Sequence, residues 1–159
     1  MSRGLAPAIV AGVVLLDQLT KVWVVAALSD GPLAIVGADV ELRLTRNSGG
    51  AFSLFTNATV VLAIVASVLA VVLVRAVHRA RDRLTVVALA LVLGGALGNL
   101  CDRVLRAPGF LRGKVVDFVH VGAWPSFNVA DSAITIGAIL LVLATFRQGA
   151  ASPSTGARR

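Results

Sequence analysis

Asp117 in "KVVDFVH" and Asp131 in "FNVADS" are carboxylates set among apolar residues, fourteen positions apart. Two carboxylates held together in a low-dielectric site cannot both ionise easily, so one is pushed up and the pair shares a proton. The ionised member can then take a proton from water while the protonated one donates to a carbonyl oxygen. That division of labour suits water attack on a peptide bond without a metal or a covalent intermediate. Asp131 also fits a helix cap, with Asn128 or Asp131 accepting backbone N–H groups; Asp117 has no such role open to it.

Other polar residues interrupt apolar runs at helical spacing. Asp17 and Lys21 are four apart and can pair on one helix face. Such residues cost about 2.5–3.5 kcal/mol at the centre of a membrane helix, so a duty is expected of them, whether snorkelling or supporting a site. Asn99 and Arg103 also share a face. Arg103 can reach headgroups or turn inward to hold a carbonyl or a carboxylate. Gly94 and Gly98 have the G-x-x-x-G spacing that favours close helix packing. The single cysteine, Cys101, has no histidine near it in sequence and reads as a small apolar filler. It excludes an intrachain disulfide framework, and two histidines make a histidine metal site unexpected. No metal or cofactor is expected.

The elements that must carry these residues are set by composition. The 159-residue chain is 57% hydrophobic and only 14% charged, against about 25% charged in a soluble domain. Its mean hydropathy is +0.89. An all-α integral membrane protein is expected, with one domain over 1–146. The net charge of +7 does not form a nucleic-acid stripe, because the cations bunch between apolar runs; no nucleic-acid partner is expected. Four apolar stretches, 5–27, 58–77, 84–104 and 130–146, approach the ~20 residues that cross a bilayer. The first is longer than a typical signal-peptide core, so its retention is expected.

Arg75, Arg79, Arg81 and Arg83 crowd the connector 75–83, on the side that also holds both termini. The positive-inside rule puts that side in the cytoplasm. Loops 28–57 and 105–129 then lie outside, and Asp17, Lys21, Asn99, Arg103, Asn128 and Asp131 gather at the outer face with Asp117. The period-two stretch "VELRLT" predicts a strand on the membrane surface, giving the helices a small extracytoplasmic β-rich subdomain. "NSGG" breaks regular structure, and the Ser/Gly/Pro-rich tail, 147–159, is expected to be disordered and cytoplasmic.

Together "DQLTK" (17–21), "NSGGAFS" (47–53), "GGALGNLCDR" (94–103), "VVDF" (115–118) and "FNVADS" (127–132) resemble, in order, the five motif blocks of signal peptidase II, the lipoprotein signal peptidases. The resemblance implies an aspartic endopeptidase of the bacterial inner membrane. Its substrate would be a prolipoprotein whose lipobox cysteine carries diacylglycerol, cut just before that cysteine. It implies a catalytic dyad of Asp117 and Asp131, and support from Asp17, Lys21, Asn47, Gly95, Asn99, Arg103 and Asn128. It also implies membrane lipids as surroundings, a substrate-cradling surface sheet in 28–57, and inhibition by cyclic peptides such as globomycin. Two departures stand out: "VLRAPGFLRGK" (104–114) is longer than the family's usual link, and "FVHVGAWPSFNVA" (118–130) is shorter.

Two other classes compete. A proton-coupled transporter would use Asp17, Lys21, Asp117 and Asp131 as relays, but the stretches "VLAVVLV" and "GAILLVLATF" carry no polar path through the other half of the membrane. A non-catalytic assembly factor would use the aspartates as caps, leaving their coincidence with Asn99 and Arg103 unexplained.

Overall fold

Apolar runs interrupted by few charges form helices here because a bilayer offers the backbone no other hydrogen-bond partners. The computed structural model describes residues 4–37, 39–49 and 58–151, without the side chains of 58 and 149–151. Four helices are long and apolar enough to cross a membrane. They are α1 (Leu5–Ala27), α2 (Ala58–Arg79), α3 (Arg83–Leu105) and α4 (Val129–Ala151). Of "NSGGAFS", only residues 47–49 are described. The tail beyond residue 151 also lies outside the described residues. Residues 147–151, expected in the disordered tail, continue α4, whose Gln148 Nε2 donates to Asp82 Oδ2 (3.1 Å) at the start of α3.

The central helix is α3, which packs against α1, α2 and α4. Half of its spanning window is buried, against about a fifth or less in the other three. Its small residues permit this: Ala88, Ala90, Gly94, Gly95, Ala96 and Gly98 are all buried. Gly94 and Gly98 face α1, where a side-chain carbon would meet Val13 and the Asp17 carboxylate; Gly95 and Gly137 lie at the α3–α4 contact. The outer faces of α1 and α2 expose Leu15, Leu19, Val22, Val61, Ile64, Val65 and Val68. In a bilayer those faces meet acyl chains.

At one end of the bundle lies an antiparallel sheet of β1 (Leu33–Val36), β2 (Val40–Asn47) and β3 (Val115–Val121), in that order. The predicted strand is thus β2, and Asp117, expected in a loop, is on β3. β2 pairs with β3 as Thr45 with Asp117, Arg46 with Val116, and Asn47 with Val115. Strand side chains alternate between faces, so Asp117 and Asn47 share one face while Arg46 and Val116 share the other. Val116 and Phe118 pack on Val24 and Leu28. That contact clamps the sheet to the end of α1.

Candidate active site

Asp117 reaches the bundle because the short link to α4 doubles back on its own strand. The chain turns at Gly122, in the left-handed region (φ 51°), and returns so that Phe127 pairs with Val119. Phe127 O accepts from Phe118 N and Val119 N at 3.0 and 2.9 Å. Asn128 is thereby delivered beneath Asp117, and α4 starts at once.

Asn128 and Asp131 cap α4 reciprocally. Asp131 N donates to Asn128 Oδ1 (2.9 Å), and Asn128 N donates to Asp131 Oδ2 (3.2 Å). This is a capping box with an aspartate at its far corner. Asp131 therefore is a cap, as the simpler reading expected, and lies beside Asp117 as well. The box leaves the Asn128 amide group free to donate from Nδ2 to Asp117 Oδ1 at 2.7 Å. One asparagine thus bridges the two aspartates.

Each amide in the site has its orientation set by a second bond. Asn47 Oδ1 accepts from Gly49 N (2.7 Å), so its Nδ2 faces Asp117 Oδ2 (3.0 Å). Asn99 Oδ1 accepts from Lys21 Nζ (3.1 Å), so its Nδ2 faces Asp131 Oδ1 (2.8 Å). Lys21 is fully buried, and its three donors meet three acceptors: Asp17 Oδ2 and Asp102 Oδ2, both at 2.8 Å, and Asn99. Asp17 Oδ1 accepts from Ala130 N (3.0 Å), tying α1 to the first turn of α4.

Asp102 was absent from the expected support set, yet it is as buried as Lys21. It accepts from Val116 N (3.0 Å), pinning β3, and from Arg106 Nε (2.6 Å). Gln18 also donates to it, to Asp17 and to Gly98 O. The signal was legible: Asp102 lies three residues after Asn99 and four before Arg106, on one helical face. With Asp17, Lys21 and Arg106 it makes a neutral set of two acids and two bases. Breaking such a buried set typically costs about 3–5 kcal/mol, because an uncompensated charge remains.

Arg103 turns inward. Its Nη1 donates to Asn99 O (3.3 Å), it lies close enough to Asp117 and Asp131 to interact electrostatically with both, and its Nε is buried with no partner among the described residues. Gly95 touches none of these groups. A side-chain carbon there would meet Ala130 O and Ile134 Cγ1, so its part is to let α4's first turn close on α3.

The two carboxylates differ in access. Asp117 is 2% exposed, whereas Asp131 is half-buried. Burial chiefly pushes the Asp117 carboxyl up to about 6; the Asp131 charge adds to the rise, and the amides of Asn47 and Asn128 oppose it. A buried carboxyl with raised proton affinity thus adjoins the half-buried side chain of Asp131. Among the described residues, no group of three or more His, Cys, Asp or Glu is placed to hold a metal.

Residues 9–147 match the family model described as signal peptidase (SPase) II. The chain is 52% identical to the lipoprotein signal peptidase of Rhodococcus jostii (strain RHA1) over 139 residues, 86% of this chain and 70% of that one. It is 48% identical to that of Mycobacterium avium (strain 104) over 136 residues, 85% and 75% of the two chains. Two solved bacterial membrane enzymes superpose with a TM-score of 0.80: one is 28% identical and covers 99% of this chain and 96% of its own, the other 30%, with 91% and 94%. With four membrane-crossing helices capped by a three-stranded sheet, this chain belongs to the signal peptidase II family and is a multi-pass membrane peptidase.

Proposed function

We propose that the chain removes signal peptides from prolipoproteins, cutting just before a diacylglyceryl-modified lipobox cysteine with Asp117 and Asp131 as the catalytic dyad. The observation that carries this reading is the Asn128 bridge, which holds the buried Asp117 carboxyl, its proton affinity raised by burial, beside the more accessible Asp131 at one end of the bundle. Asp131 takes the proton from the attacking water while Asp117 donates to the scissile carbonyl oxygen; as the C–N bond breaks, the proton on Asp131 goes to the leaving amine and Asp117 regains one from the gem-diol hydroxyl. Arg103, turned inward beside Asp117 and Asp131, supports the site. Asp17, Lys21, Asn47, Gly95, Asn99 and Asn128 position the dyad rather than react.

An interfacial dyad suits a substrate whose signal peptide lies in the membrane and whose cysteine is anchored by lipid. The exposed apolar strand β1, with Leu33, Ile35 and Val36, offers that lipid an apolar surface on the edge of the sheet. The cation-rich stretch 75–83, from the end of α2 to the start of α3, favours cytoplasmic termini and an outward-facing site in the bacterial inner membrane. Globomycin, lodging between the aspartates, is the expected inhibitor.

The test is a gel-shift assay in detergent with one prolipoprotein, with and without diacylglycerol on its cysteine. Wild type should cut only the lipidated form, and Asp117→Asn or Asp131→Asn should lower kcat/KM by about 10²–10⁴-fold at unchanged protein level. Near-wild-type cleavage by either folded variant would remove that residue from the dyad.

A further inference from the structure

The long link 104–114 has no part in the dyad, and it builds a second site. Beyond α3 the chain folds back tightly: Gly109 N donates to Arg106 O (3.1 Å), Gly113 N to Arg103 O (3.0 Å) and Lys114 N to Ala107 O (3.3 Å). Gly113 lies so close to the carbonyls of Asp102 and Arg106 that a side-chain carbon would collide with them. This folded turn and β2 enclose a cavity of about 460 Å³ lined by Arg46, Arg106, Ala107, Pro108, Lys114 and Val116.

Three cations line this cavity and no carboxylate does. Arg106 is engaged by Asp102, but no acid lies within ion-pair distance of Arg46 or Lys114 among the described residues. The strand register puts Arg46 and Val116 on the sheet face opposite Asp117, so the cavity is separate from the dyad. It opens where the spanning part of α3 ends at Leu105, the level of lipid headgroups. Leu105 (77% exposed) and Phe110 (72% exposed) present apolar side chains from the same turn. A guanidinium recognises phosphate through paired donors, and an ammonium adds a point charge. Apolar walls and the flanking Leu105 and Phe110 suit a glycerol backbone and its acyl chains. We propose that this cavity binds the phosphodiester headgroup of an anionic membrane phospholipid.

The test uses the full chain in neutral detergent, with native mass spectrometry to follow retention of phosphatidylglycerol against phosphatidylcholine of the same acyl chains. Wild type should retain phosphatidylglycerol on the order of tenfold more strongly. The double variant Arg46→Gln/Lys114→Gln should hold both lipids equally while still cleaving prolipoprotein in zwitterionic micelles. The charge-keeping pair Arg46→Lys/Lys114→Arg should keep the preference, which provides the reading if the glutamine variant does not fold. Excess inorganic phosphate should leave the bound phosphatidylglycerol in place. Equal retention by wild type, or an undiminished preference in the folded glutamine variant, would overturn the site. Complete displacement by inorganic phosphate would assign the cavity to the free anion and overturn the lipid.

Discussion

Asp117 loses most of its water and keeps two amide donors, Asn47 and Asn128. Burial wins, and the carboxyl rises from an ordinary 3.8 to about 6. The sign of the consequence follows from proton counts. Between about pH 4 and 6 the folded protein holds a proton that the unfolded chain has released. This group's contribution to stability is therefore full below about pH 4 and is lost as pH rises through about 6. Thermal melting in detergent should fall more steeply over that window in wild type than in Asp117→Asn; parallel slopes would contradict the assignment. If the same carboxyl is the catalytic acid, wild-type kcat/KM should also decline as pH rises through about 6.

At the scale of elements, the placement of Asp131 beside Asp117 depends on how closely the first turn of α4 approaches α3. Gly95 allows that approach, with Ala130 O against the space a side chain would fill. Backbone oxygen cannot rotate aside as a side chain can, so Gly95→Ala must move the helix. Overpacking of this kind costs about 1–3 kcal/mol, and it would shift Asn128 and Asp131 relative to Asp117. We expect a lower melting temperature with a clear loss of cleavage. Gly12→Ala, where the space is open, should change neither. A Gly95→Ala protein as stable and active as wild type would show that this contact does not set the site.

Across the whole molecule, four crossings put the start of α1, the end of α4 and the 80–82 connector at the end opposite the sheet. Trp124 lies at the sheet end and is 74% exposed, well placed as an interfacial anchor. In a Cys101→Ser background, Trp124→Cys should react in intact cells with a membrane-impermeant maleimide, and Arg81→Cys should react only after the inner face is opened. The reverse pattern would invert the proposed orientation and move the site to the cytoplasmic side.

Much of this protein was legible in its sequence, because a bilayer permits few choices. Long apolar runs with few charges must be helices, and polar residues spaced three or four apart must share a face. Those two constraints were enough to find four spans, the Asp17 and Lys21 pair, the Asn99 and Arg103 face, and the gathering of polar groups at one end. The tertiary structure decided the rest, since no local pattern encodes a contact between distant segments. Whether Asp131 was only a cap could not be read locally; the fold makes it a cap and links it through Asn128 to Asp117. The burial of Asp102 and its bonds to Lys21, Arg106 and Val116 depend on where β3 lands. The hydrophobic pattern determined which segments enter the membrane; long-range hydrogen bonds between helix ends and one strand determined which carboxylates meet there.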